Sequence, residues 1–179
     1  VLGDHRGVPW AQGSGRHHRM RRSTMFATAV GALCAAALPG VAQASEANPY
    51  TAQGLCGSGY TVIDRHPMRD TLLTTGKTIT VAESVLLYSR ATGKNCAVPL
   101  KRFWLKKKTH TYVTLMTRPA SAANTANDAG DFQYYAGPVY LYARGKCVMW
   151  QGGMDYSLWA GQWWTPRRAA FRSGWVHCR

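Results

Sequence analysis

The residues best suited to acid and base chemistry are one glutamate, Glu83, and the three histidines that follow residue 45, His66, His110 and His177. Glu83 with His66 or His110, beside arginines, could cut RNA by general acid and base catalysis, so one interpretation is a small basic hydrolase of nuclease type. No two of these histidines have the His-x-x-x-His spacing of a metal site. No Gly-x-Ser-x-Gly elbow or kinase catalytic motif is present. We therefore expect no catalytic residues, no metal and no cofactor.

A short basic run with an aromatic inside it is the strongest candidate for binding. Basic side chains around an aromatic ring are typical of grooves that hold single-stranded polyanions. The alternative is a solvated hairpin end whose charges discourage strand pairing at an edge. The residues in question are Lys101, Arg102, Trp104, Lys106, Lys107 and Lys108.

Three tryptophans near the end of the chain form a second candidate, Trp159, Trp163 and Trp164. Indole rings could stack on the sugar rings of a cell wall or spore coat. They could equally be buried over a small sheet, because aromatic side chains contribute large apolar area.

An export signal is predicted near the N-terminus. Arginines at 19, 21 and 22 precede an apolar run at residues 26–38 and the small-residue tripeptide Ala42-Gln43-Ala44. Thirteen residues are too few to cross a hydrocarbon core, which needs about 20. We therefore expect an over-extended start at residues 1–19, a signal peptide at 20–44, and a single mature secreted domain at 45–179 without a transmembrane segment.

Export makes the four mature cysteines, Cys56, Cys96, Cys147 and Cys178, candidates for disulfides rather than metal ligands. Four cysteines allow three pairings. We favour the sequential one, Cys56 to Cys96 and Cys147 to Cys178, because a bridge at Cys178 would prevent fraying of the chain end.

The charge of the chain is strongly basic. The whole sequence carries a formal net charge of +14, and residues 45–179 contain 17 Lys and Arg against 7 Asp and Glu, or 17 − 7 = +10. Such a surface attracts polyanions, although solubility alone explains it equally well. If the charge serves binding, the partner we expect is an anionic polymer, with no specific nucleic acid.

The mature chain alternates with a period of two and is rich in β-branched and aromatic residues, which predicts strands. We expect a mainly β fold, a small antiparallel sandwich or barrel-like domain stapled by two disulfides. Pro99 should end the third strand, a polar loop should cover residues 120–130, and no clean pattern follows Gly152. Strands are predicted at residues 60–64, 78–88, 95–98, 112–117, 132–135, 139–143, 146–150 and 174–178.

Several segments together resemble the actinobacterial spore-associated protein A family. They are NPYTAQGLCGSGYTVID from residue 48, LLYSRATGKNCAV from residue 86, DFQYYAGPVYLYARGKCVMWQG from residue 131, and the terminal Trp175-Val176-His177-Cys178. The resemblance covers most of the mature chain and includes all four cysteines. It implies a small exported protein of the cell or spore surface and brings no catalytic residues with it.

Two stretches depart from the family pattern, the basic run at residues 101–108 and the segment rich in tryptophan and arginine at 159–172. Both are heavier in charge and aromatic residues than in relatives. A property built on them would therefore belong to this chain.

Overall fold

Two antiparallel four-stranded sheets make up residues 47–178, the part of the chain that the computed structural model describes. The predicted start at 1–19, the signal peptide at 20–44 and its cut before Ser45 lie outside the described residues. The elements, in chain order, are α1 Ala52–Cys56, β1 Thr61–Thr71, β2 Thr78–Ser89, β3 Lys94–Lys101, β4 Thr109–Thr117, a 3-10 turn Ala122–Asn124, β5 Thr125–Phe132, β6 Val139–Tyr142, β7 Val148–Trp159 and β8 Trp164–Arg172.

The strand order defines the sandwich. Sheet 1 runs β1-β2-β3-β6 and sheet 2 runs β5-β4-β7-β8. Leu86 and Ala97 of sheet 1 pack against Val113, Leu115 and Trp150 of sheet 2, all fully buried. Burying each such leucine or valine contributes about 1.5–3 kcal/mol, so the space between the sheets is the main core. The predicted fold class, mainly β and antiparallel, is confirmed.

The outer face of sheet 1 has its own cover. Val85, Leu87 and Val98 point to this side and pack with Ala52 and Cys56 of α1. The Thr51 side chain accepts a hydrogen bond from Gly54 N at 3.0 Å and so caps the short helix. Because five residues cannot form a stable helix alone, α1 depends on this packing and on its disulfide to β3.

Both disulfides have the sequential pairing. Cys56 joins α1 to Cys96 of β3, and Cys147, just before β7, joins Cys178. Instead of the predicted closing strand at 174–178, the segment before Cys178 makes one bridge, Val148 to Val176. The pairing preference is confirmed, and the closing strand is reduced to that single bridge.

Two differences from the predicted strands have local causes. Residues 125–130, expected within a polar loop, belong to β5, because an edge strand needs only one buried face. The strand expected at 132–135 is reduced to Phe132 at the end of β5 and a single bridge at Tyr135. Pro99 lies inside β3 rather than at its end. The Pro99 nitrogen faces the same side of β3 as the Lys101 amide, which points away from β2 and donates to Tyr134 O at 2.8 Å. On that side β6 pairs with β3 only as far as Ala97, so the missing N–H of Pro99 costs no hydrogen bond between strands.

Residues 153–159 and 164–172, where the sequence shows no clean pattern, are strand. A Cβ on Gly152 would lie 2.8 Å from Ser84 Oγ, and one on Gly153 would lie 2.6 Å from Tyr112 Oη. Gly152 therefore lets β7 lie close to β2 of the opposite sheet, and Gly153 leaves room for the Tyr112 ring of the neighbouring β4. Pro166 is accommodated because β8 is an edge strand.

In the described part of the chain, no helix is both long and apolar enough to span a membrane.

Candidate functional site

A cleft of about 570 Å³ opens at one end of the sandwich, and we call it the aromatic cleft. Three connections meet there, because β1 and β3 end, and β7 turns into β8, at this same end of the sandwich. The lining residues are 72–74 of the β1–β2 turn, 102–105 and 107 of the β3–β4 loop, and 157–159 and 164 of the β7–β8 hairpin. Its volume falls in the range of small-molecule sites.

The β3–β4 loop is folded tightly over this end. The amides of Arg102 and Phe103 both donate to Val81 O, at 2.9 and 3.0 Å, so the chain leaves β3 against the start of β2. Trp104 and Lys106 then adopt positive φ angles of 55° and 64°. Residues other than glycine rarely adopt this backbone conformation, so the surrounding contacts must hold it in place.

Lys101 supplies one of those contacts from below the loop. Its ammonium donates to Lys107 O at 2.6 Å and to Phe132 O at 3.1 Å. Lys101 is fully buried, and burial lowers its pKa to about 8. The expectation that Lys101 belongs to an exposed polyanion-binding run is therefore wrong. Lys101 supports the β3–β4 loop from below through its hydrogen bonds and cannot contact a polymer.

The remaining members of the basic run are exposed or line the cleft. Lys106, Lys107 and Lys108 are exposed. The Lys107 ammonium lies 4.5 Å from the centre of the Trp104 ring, a cation–π contact. Arg102 lines the cleft and pairs with Glu83 at 2.6 Å. The loop therefore places positive charge on the rim of an apolar site.

Two of the three candidate tryptophans join the basic run at this cleft. Trp104 meets Trp164 edge to face, with ring centroids 5.6 Å apart, and Trp159 packs on Trp164 at 5.4 Å. Trp159 and Trp164 are 44% and 56% exposed, whereas Trp163, at 61%, does not line the cleft. The two sets singled out in the sequence thus form one site, with Trp163 outside it.

The carboxylate of Asp70 links the two sheets close to the cleft. Arg167 of β8 binds Asp70 of β1 through two hydrogen bonds, and the Tyr156 hydroxyl donates to Asp70 Oδ2 at 2.5 Å. The hydrogen bond from Arg167 holds the pKa of Asp70 well below its usual range. Burial, together with the bond to Asp70, raises the pKa of Tyr156. Asp70 therefore stays ionised and ties β1 to β7 and β8.

The acid and base groups considered for a hydrolase are not brought together. Glu83 lies between Arg102 and Arg65, at 2.6 and 3.1 Å. Burial raises its pKa, but the two arginine hydrogen bonds outweigh that effect and the net pKa is lowered. His66 pairs with Ser84, the residue after Glu83, so it points to the opposite face of sheet 1. There it stacks on Phe171, with ring centroids 3.9 Å apart.

The other two histidines are equally remote from Glu83. His110 lies on β4, in the other sheet. His177 Nε2 is 3.6 Å from Asp64 Oδ2. Among the described residues, no group of three or more His, Cys, Asp or Glu side chains is placed to hold a metal ion.

The sequence did not point to the apolar floor of the cleft, Leu72, Leu73 and Leu158. Leu72 and Leu158 pack in the core cluster below, with Phe103, while Leu73 is 46% exposed. A signal was available, because a leucine pair inside an otherwise polar turn, residues 71–77, is unusual. Such a pair indicates that the turn lies against another apolar surface.

Comparisons with known proteins agree with the family resemblance. No family model matches the chain, and no solved structure matches it. Spore-associated protein A of Streptomyces coelicolor is 39% identical over 128 residues, which are 70% of this chain and 75% of the relative. At that identity and coverage the likeness reflects common descent, and the chain belongs to the spore-associated protein A family.

Proposed function

We propose that this chain is an exported, non-catalytic protein of the spore or cell surface, which attaches to an anionic polymer there. The relative's name supports the spore association. The attachment is carried by one observation, the exposed lysines of the β3–β4 loop gathered beside the aromatic cleft. The role is structural or adhesive.

The positive charge of the chain supports an anionic polymer as its partner. The mature region has an excess of ten positive charges, 17 − 7, and the loop concentrates three lysines in consecutive positions. Phosphate or carboxylate groups repeated along a wall polymer would meet several of these cations at once. Contacts of this kind are individually weak, are screened by salt, and add up along a polymer.

The build of the domain supports a surface role. Two disulfides and a buried core between the sheets hold the backbone, while the aromatic cleft and its basic rim stay open. Glu83 and Asp70, which could have served as acids, are both engaged by arginines. Export itself depends on residues 20–44, and an intact mass that begins at Ser45 tests that part.

A charge-matched pair of variants tests the attachment. Lys106→Gln with Lys108→Gln removes two loop charges and leaves the lining residue Lys107 in place. Arg90→Gln with Lys94→Gln removes two exposed charges at the β2–β3 turn, at the far end of the strands. Retention on purified walls and spores would be measured against NaCl concentration.

The loop variant should weaken retention by about 2- to 30-fold at low salt, because each exposed ion contact contributes about 0.2–1 kcal/mol. Its salt dependence should also flatten. The control variant should lose much less. Equal losses in the two variants would mean that net charge alone governs retention, and the loop would then have no special role.

A further inference from the structure

The lining of the aromatic cleft does not suit a sugar. Carbohydrate sites surround the ring with acceptors and donors for hydroxyl groups, but no Asp, Glu, Asn, Gln or His lies among the described residues that line this cleft. Its uncharged polar side chains are Thr74 and Ser157. One face of Trp104 is covered by the Lys107 ammonium at 4.5 Å, and Trp159 and Trp164 pack at 59° to each other. The tryptophans therefore form a corner rather than a flat platform.

The same lining suits an apolar chain. Leu72, Leu73, Leu105 and Leu158 contribute aliphatic surface, and Phe103 with the three tryptophans contributes aromatic surface. Phe103, Leu72 and Leu158 are anchored in the core cluster beneath, with Met68 and Tyr156. The floor is thus preformed, and a ligand would gain apolar contact without the cost of ordering these side chains.

Charge at the rim has one sign. Arg102 and Lys107 line the cleft, and no carboxylate does so among its described lining residues. Arg102 is paired with Glu83, so Lys107 is the stronger candidate to meet an anionic group. A ligand that complements both features would have an apolar body and a negatively charged end.

We propose that the aromatic cleft binds a single-chain anionic amphiphile, with its apolar chain against Leu73, Leu158 and Trp164 and its carboxylate, sulfate or phosphate group beside Lys107. This site is distinct from the polymer contact of Lys106 and Lys108 and does not depend on it. The occupant is a free amphiphile of the fatty-acid type, and a bilayer phospholipid, which carries two chains, is the alternative that the experiment tests.

The test uses three matched probes below their micelle concentrations: decanoate, 1-decanol and decyltrimethylammonium. Binding to the mature protein would be followed by tryptophan fluorescence, since Trp104, Trp159 and Trp164 line the cleft, and the stoichiometry would be measured by calorimetry. Decanoate should bind one to one. Decanol should bind more weakly, and decyltrimethylammonium the weakest, because the rim repels its charge.

Two pairs of variants locate the site. Trp164→Ala should weaken decanoate binding by about tenfold or more. Trp163 is its neighbour in the chain but does not line the cleft, so Trp163→Ala should leave binding within about twofold. Lys107→Gln should weaken decanoate by about three- to tenfold and leave decanol unchanged, whereas Lys108→Gln should affect neither. Leu73→Glu should block decanoate and decanol, and circular dichroism would verify that each variant is folded.

Sedimentation with phosphatidylglycerol vesicles tests the alternative. Decanoate binding without vesicle binding supports a free amphiphile, whereas vesicle binding that decanoate displaces would overturn that choice of occupant. No one-to-one decanoate binding, equal binding of the cationic probe, or equal effects of Trp163→Ala and Trp164→Ala would each overturn the proposal. Retention on walls is measured separately, so either proposal can fail while the other stands.

Discussion

The two ends of the sandwich are held by different kinds of bond. At the end that carries the β2–β3 and β6–β7 turns, Cys147 is bonded to Cys178, and Val148 and Val176 exchange backbone hydrogen bonds of 2.9 and 2.8 Å. Cys96, bonded to Cys56, is the third residue of β3 and lies in the same half. We call this the disulfide end.

The opposite end, which carries the aromatic cleft, is held by charged side chains. Asp70 with Arg167, Glu83 with Arg102, and the buried Lys101 fix the segments that line the cleft. This cleft end has no disulfide among the described residues. The disulfide end therefore depends on covalent bonds and the cleft end on ion pairs. Changes of pH and substitutions of charged residues should act mainly through the cleft end.

The largest expected effect comes from removing either disulfide. Cys56→Ala with Cys96→Ala, or Cys147→Ala with Cys178→Ala, should lower the free energy of unfolding by about 4 kcal/mol, because the unfolded chain regains the entropy of a closed loop. Urea unfolding followed by circular dichroism measures this loss. A loss smaller than that of the Asp70 variant below would break the contrast between the two ends.

Breaking the Asp70 contact should have the largest effect at the cleft end. Asp70→Asn removes a charge that Arg167 and Tyr156 both bind, and the free energy of unfolding should fall by about 2 kcal/mol. Asp155→Asn is the matched control, because Asp155 forms a more exposed pair with Arg168 and should cost at most about 1 kcal/mol.

The Asp70 effect also has a predicted pH dependence. Because the pKa of Asp70 is lowered in the folded state, its contribution is fully present above the unfolded pKa of about 4 and is lost as pH falls further. The difference between parent and Asp70→Asn should therefore shrink on acidification from about pH 4. A difference that stays constant would show that Asp70 acts through packing and not through its charge.

Lys101 should give the smallest effect, in an alkaline rather than an acidic pH range. Its pKa is lowered to about 8, so the folded state releases a proton that the unfolded state keeps up to about pH 10. The free energy of unfolding should then rise by about 1 kcal/mol between roughly pH 8 and pH 9.5. Lys101→Met should lack this rise, whatever its stability at neutral pH, and an identical rise in both proteins would contradict the assignment.

The disulfide end could be predicted well from the sequence, because its determinants are local or covalent. The β2 strand carries Val81, Val85 and Leu87 on one face, Gly93 marks its turn with a φ of 68°, and four cysteines leave only three pairings. The family motifs also concentrate there. The sequence could therefore predict this half without knowledge of long-range contacts.

The cleft end could be predicted only in pieces. Trp104 and Trp164 were each singled out, but sixty residues separate them and only the pairing of β4 with β7 and β7 with β8 brings them together. The burial of Lys101 was missed because a lysine in a basic run ordinarily faces water. Its partners are backbone carbonyls, which leave no mark in the sequence.

The distance along the chain between Trp104 and Trp164 also determines when the aromatic cleft can form during folding. In sheet 2, β4 pairs with β7, which follows β6 of sheet 1 along the chain, and β8 with Trp164 comes last. Folds dominated by such distant pairings form slowly, in milliseconds to seconds. A chain emerging during synthesis has no cleft until its final strand has docked, so ligand binding would report that folding is complete.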